Sequence, residues 1–158
     1  MKALLLSALL IVLNLNLHAQ VKRMEHNGNP LFVLEKVPAD FPPHFQDKSL
    51  CEGNKPATDA KARCVRLNSN GTGTWQNDYF NANDKPATPI NWYVLCDEKG
   101  TTTKISGEDR EQFYVVLEFT QSYYSKNPGD LMIFPANLLK GKEGAYFRAV
   151  IDSKFTEF

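Results

Sequence analysis

Along this chain apolar positions recur every second residue rather than every third or fourth. The stretch "EQFYVVLEFT" (residues 111–120) sets Phe113, Val115, Leu117 and Phe119 on one side and Gln112, Tyr114, Val116 and Glu118 on the other. That period predicts a strand with one wholly apolar face turned to a core. "INWYVLC" (90–96) divides in the same way, with Ile90, Trp92, Val94 and Cys96 against Asn91, Tyr93 and Leu95. In "ARCVRLNSNGTGTW" (62–75) two alternating runs meet at Asn70-Gly71. Asn-Gly supplies the positive φ angles of a tight two-residue hairpin turn, and the register this predicts opposes Ser69 to Thr72, Leu67 to Thr74 and Arg66 to Trp75.

The remaining runs are shorter. "LFVLEKV" (31–37) predicts a strand stopped by Pro38, and "DEKG" a turn into "TTTKIS", a second hairpin. "SKNPGD" predicts a turn into a short "LMIF" strand stopped by Pro135, and "ANLLKGK" one helical turn. "GAYFRAVID" alternates Ala145, Phe147, Ala149 and Ile151 against Tyr146, Arg148 and Asp152, and "KFTEF" is an edge piece. "VKRMEHNGNP" (21–30) shows no clear period and reads as a short arm. Residues 38–61 form an irregular, proline-rich segment in which "FPPHF" offers Phe41 and Phe45 as plugs against the domain. No helical stripe is long enough to cross between parallel strands. The expectation is an all-β antiparallel meander of seven or eight short strands with little helix, closing into a barrel or half-barrel.

The first residues, "MKALLLSALLIVLNLNLHAQ", carry one charge at Lys2, an apolar run over 3–13 and a small residue at Ala19. This is the layout of a secretory signal peptide, and the apolar run is too short to span a bilayer. Cleavage after Ala19 is expected, leaving a single β-rich domain over 20–158. No cysteine stands at the cleavage point for lipid attachment, so the mature protein is expected free in the periplasm or outside the cell, with no membrane anchor. The 18 basic residues balance the 18 acidic ones, and losing Lys2 leaves the balance near neutral. The charges are interspersed, with no basic stripe for nucleic acid.

Three cysteines, Cys51, Cys64 and Cys96, make an odd count for an exported chain. One disulfide plus one buried or reactive thiol is the economical account. Cys51–Cys64 would close a loop that otherwise has little to hold it, whereas Cys64–Cys96 would tie two strands; the first is preferred. The doubled "KPAT", at 55–58 and 85–88, has no third copy and no shared flanks. It reads as punctuation, a proline breaking a loop shortly before a strand begins.

The succession of "LNSNGTGTW", a proline-bearing loop, "INWYV" and a following hairpin resembles small secreted lipocalin-like domains of bacterial envelopes, over residues 63–119. The "GTW" of this chain (73–75) falls on the third predicted strand, whereas the lipocalin Gly-x-Trp signature lies on the first. No binding residue is carried over from that resemblance.

Catalytic signatures are absent from the sequence: no Gly-x-Ser-x-Gly, no phosphate-binding glycine loop, no His-Glu-x-x-His and no Cys-x-x-Cys. Beyond the signal peptide only His26 and His44 remain to activate a cysteine, and a surface histidine beside a disulfide is the plainer account of His44. Two histidines and scattered cysteines match no standard metal spacing, and no cofactor is expected. Glu118 with Tyr114 would orient a ligand or act as an acid if their face lined a cavity; a face in water gives the same pattern. "NGT" at Asn70 matches a glycosylation acceptor, but the hairpin turn accounts for it.

The aromatic residues are the stronger lead. Trp75, Tyr79, Phe80, Trp92, Tyr93, Tyr123 and Tyr124 gather at predicted strand ends and in "NDYFNAND" and "QSYYSKNPGD". Amphipathic rings in such places contact partners or cap a core. The sequence therefore points to an exported, non-enzymatic domain that binds a small apolar or amphipathic ligand inside the barrel, or an envelope or extracellular protein through its loops. The alternatives are a small envelope enzyme using the unpaired cysteine with a histidine, and a purely structural envelope protein.

Overall fold

The computed structural model describes residues 20–51, 63–76, 87–141 and, for the backbone, 146–151. Among them the only helical piece is a single 3-10 turn, Pro43–Phe45. Ten strands form one sheet: β1 (Val21–His26), β2 (Asn29–Leu34), β3 (Ser49–Cys51), β4 (Cys64–Leu67), β5 (Thr72–Gln76), β6 (Thr88–Cys96), β7 (Lys104–Ser106), β8 (Arg110–Phe119), β9 (Leu131–Lys140) and β10 (Tyr146–Ile151). Every ladder between them is antiparallel, and the main path runs β10-β9-β8-β6-β5-β4-β3. The expected meander is present. The sheet curls until Cα atoms of β10 and β3 lie within 8 Å, but no ladder joins them, so it is a half-barrel and not a closed barrel.

Strand β6 is where the sheet forks. One edge of its first half pairs with β5, and the same edge farther on pairs with β2, so the β1–β2 hairpin leaves the path as a side branch. Its other edge pairs with β8, and β7 continues along that edge of β8 after a turn from Asp97 to Gly100. The Asp97 carboxylate accepts hydrogen bonds from the backbone N–H groups of Lys99 (2.9 Å) and Thr101 (2.8 Å).

Alternation along β6 and β8 falls as the sequence predicts. Ile90, Trp92, Val94, Phe113, Val115, Leu117 and Phe119 all enter the main core, with Phe134, Ala136 and Leu138 of β9 beside them. The two phenylalanines of "FPPHF" complete it. Phe41 lies 5.3 Å from Trp92 and 5.4 Å from Phe113 between ring centroids, and Phe45 lies 5.4 Å from Phe41. Pairs at this spacing and tilt gain from ring quadrupoles as well as from burial. Trp92 also donates its indole N–H to the Asn68 carbonyl (2.8 Å), so the buried ring carries no unmet donor.

Four local expectations are corrected. The arm at 21–30 is β1 and its turn: Asn27 and Gly28 both have positive φ (51° and 77°), the geometry of a two-residue hairpin. At the second Asn-Gly only Gly71 has positive φ (83°), and the loop is one residue longer. The register becomes Leu67 opposite Gly73 and Val65 opposite Trp75. The shift of one matters because it sends Val65, Leu67 and Trp75 to the same buried side, which the tighter turn would have split. "ANLLKGK" is not helical, since β9 runs through Pro135 to Lys140. The Phe119 N–H bonds the Asp130 carbonyl, which fixes even-numbered β9 residues as those bonding β8. Pro135 therefore lacks its N–H on the β10 side, where the described ladder to β10 has ended at Ala136. Finally, the segment 38–61 expected to be irregular holds β3, and Cys51 ends that strand directly opposite Cys64, to which it is disulfide-bonded across 4.1 Å between Cα atoms. Cys96 is the free, buried thiol. The second "KPAT" runs into β6 at Thr88, while the first, like "KFTEF", lies outside the described residues.

Gly73 has no room for a side chain, because a Cβ there would collide with the backbone carbonyl oxygen of Arg66 on β4. Replacing Gly73 with alanine must push β4 and β5 apart. We expect G73A to lower unfolding free energy by about 2–3 kcal/mol in urea titration, with the slope of the transition unchanged.

Candidate functional site

The second face of the sheet carries the residues that β6 and β8 do not commit to the main core. Antiparallel register places Asn91 beside Glu118 and Tyr93 beside Val116, with Leu131 and Ile133 of β9 continuing those rows. The β1–β2 hairpin contributes Met24, Leu31 and Val33, and a small apolar cluster forms from Val33, Val116, Leu131 and Ile133, edged by half-buried Met24, Leu31, Tyr93, Leu95 and Tyr114. Ile105 of β7, opposite Gln112, carries this face outward and is 56% exposed.

A polar group sits on this face. The Tyr93 hydroxyl donates to Glu118 Oε2 at 2.7 Å, and Lys22 Nζ reaches the Tyr93 oxygen at 3.1 Å and Glu118 Oε2 at 3.5 Å. The Lys22 ammonium also stands 4.6 Å from the centre of the Tyr93 ring, a cation–π contact. Asn91 Nδ2 donates to the same carboxylate oxygen at 3.5 Å, and Gln112 donates to the Tyr114 hydroxyl at 2.8 Å. The network ties β1, β6 and β8 together through side chains, where β1 makes no ladder with either of the other two.

Partial burial alone would push the Glu118 carboxyl up, but the Tyr93 hydrogen bond, the Lys22 charge and the Asn91 amide outweigh it and hold it below its ordinary value of 4.5. Burial would lower Lys22, yet its bond to Tyr93 and the charge of Glu118 raise it above 10.5. Tyr93 is raised by burial and by the bond it donates to Glu118, with Lys22 opposing. At neutral pH the set is therefore carboxylate, neutral phenol and ammonium, and none of them exchanges a proton there. Such a group orients and anchors; it is not poised for general acid–base work.

The sequence-selected residues separate into three groups. Tyr93, Tyr114 and Glu118 come together on this face. Trp75, Trp92 and Tyr123 are buried in the main core, and Tyr124 packs half-buried against it, its ring 4.7 Å from that of Tyr123. Tyr79 and Phe80 lie outside the described residues. Sequence reasoning missed Lys22, Asn91 and Gln112. Asn91 was visible as the residue alternating with Tyr93, but Lys22 required the recognition of β1, whose signal was its own Asn-Gly turn. Among the described residues no cluster of three or more His, Cys, Asp or Glu could hold a metal ion.

Cys96 is 5% exposed, and burial, helped by the Asp97 charge, pushes its thiol up. Reactive thiols are exposed and have lowered values. In the native protein we expect Cys96 to resist a disulfide-exchange thiol reagent at pH 8, reacting only on unfolding; one fast equivalent would identify an accessible thiolate.

Tyr93→Phe removes the short bond to a half-buried carboxylate and is expected to cost about 1 kcal/mol at pH 7, after allowance for solvent screening. Because the folded Glu118 value is depressed, its contribution is full above pH 4.5 and is lost as the pH falls through the depressed value. Urea melts of wild type and Y93F from pH 7 to pH 3 should therefore converge at the acid end.

No family model matches the chain, and comparison with curated proteins and with solved structures gives no match either, so the reading of this face rests on its own chemistry.

Proposed function

We propose that this protein is an exported, non-enzymatic β-domain that binds a protein partner on the second face of its sheet. The observation that carries the reading is the contrast between the two faces. A carrier needs a cavity lined by alternate strand positions. Here the concave side is occupied by Trp92, Phe41, Phe45, Phe113, Phe119 and Phe134, each less than 2% exposed. The other face offers half-exposed Tyr93, Tyr114, Leu95 and Met24 around an anchored carboxylate, with Ile105 beyond. Tyrosines over an apolar base, with hydroxyls already oriented, are the composition of partner-binding patches.

The Cys51–Cys64 disulfide fits an oxidising compartment, in accord with the expected signal peptide. The raised Cys96 thiol weighs against the thiol-enzyme alternative. A buried thiol kept protonated is a poor nucleophile, because the thiolate is the attacking species.

The test is a photo-crosslinking amino acid at Ile105, with a control at exposed Glu98 in the β6–β7 turn, introduced in the native host. A discrete adduct to an envelope or extracellular protein from position 105 and none from 98 is expected. Equal labelling from both, or none from 105, overturns the proposal. A small molecule retained in native mass spectrometry would favour the carrier reading instead.

A further inference from the structure

We propose that the β1 edge pairs with the β1 edge of a second copy, giving a two-fold dimer through a continuous antiparallel sheet. This inference does not rest on the partner face above, although Met24 borders both surfaces. Among the described residues, strand β1 is hydrogen-bonded to β2 on one edge and to no other strand. Its six residues hold no proline and no bulge, and the ladder to β2 is unbroken. Exposed edges of that length are normally blunted by such devices, because their free N–H and C=O groups template pairing.

The direction of those groups follows from the hairpin. The Gln20 carbonyl accepts a bond from the Glu35 N–H, so even-numbered positions bond inward to β2 and Val21, Arg23 and Glu25 present their backbone groups outward. Arg23 and Glu25 are both exposed, two residues apart on one side of the strand. A shallow hollow of about 310 Å³ at the turn end of this hairpin is bounded by Arg23, Met24, Glu25, Gly28 and Pro30.

A two-fold axis normal to an antiparallel sheet can only place residues of the same face opposite each other. For β1 the central registers therefore put Arg23 on Arg23, Met24 on Met24, or Glu25 on Glu25 of the second copy. The first and last bring like charges together, which is unfavourable for directly opposed pairs. The middle register opposes Arg23 to Glu25 and Glu25 to Arg23, and these are the positions whose outward backbone groups exchange hydrogen bonds. It also brings together the two Met24 side chains, each at the rim of its small apolar cluster. Charge complementarity therefore selects a second copy as the occupant, in one register.

The experiment is sedimentation equilibrium of the purified exported protein over about 10–200 µM, where an edge-paired dimer should shift with concentration by mass action. Wild type is expected to approach twice the monomer mass. R23E and E25R should each raise the dissociation constant by at least about tenfold, since each puts like charges opposite, and R23E/E25R should restore it. Both side chains are exposed, and unchanged circular dichroism melts of the variants check that the fold is kept. A wild type that remains monomeric throughout overturns the proposal. So do single reversals that leave the dimer intact, or a double reversal that fails to restore it.

Discussion

The burial of one indole ring holds this fold together. Trp92 stands in the middle of the strand that forks the sheet, its ring meets Phe41 from the proline-rich segment, and its side-chain N–H is spent on the Asn68 carbonyl. Its backbone N–H bonds the Gly71 carbonyl, so the β4–β5 turn is held from the same residue. A sheet that does not close needs something to fill its concave side, and the rings around Trp92 supply it. With the plug in place a half-barrel buries its apolar face without the final ladder that a closed barrel would need.

That arrangement has a consequence for function. A strand such as β6 offers each side of the sheet every other side chain, and the concave side takes all of its share for packing. The share left to the opposite face is Asn91, Tyr93 and Leu95. There the β1–β2 hairpin covers part of the apolar surface and is fastened by Lys22, Tyr93 and Glu118. The ion pair is 3.5 Å long and partly exposed, so it contributes little alone; the short phenol–carboxylate bond fixes the geometry. The same hairpin that is fastened there has no other described strand on its outer edge, so the two surfaces proposed to bind other molecules adjoin, with Met24 at the border of both.

Much of this was legible in the sequence where local patterns and tertiary packing agree. The alternation in "EQFYVVLEF" and "INWYVLC" assigned every side chain of β6 and β8 to its face. Composition offered Phe41 and Phe45 as plugs, and loop closure favoured the Cys51–Cys64 pairing over Cys64–Cys96, which the structure bears out. The misreadings have physical causes. Asn-Gly at 70–71 predicts a tight turn, but pairing of Val65 with Trp75 favours a longer loop, and the tight turn stands instead at the Asn-Gly of 27–28. Pro135 does not stop β9, because a proline ends a strand only if its missing N–H faces a partner.

The sequence by itself determined the all-β antiparallel class, the two faces of β6 and β8, and a preference for the Cys51–Cys64 pairing. These depend on the period of two and on short connections, which are properties of neighbouring residues. Only the tertiary structure decided that the sheet stays open, that Trp75, Trp92 and Tyr123 belong to the core, and that Lys22 meets Glu118. Those depend on how residues far apart in the chain meet, Lys22 and Glu118 being separated by 96 positions. Alternation specifies that a side chain points to one side of a sheet; what covers that side is decided by segments elsewhere in the chain.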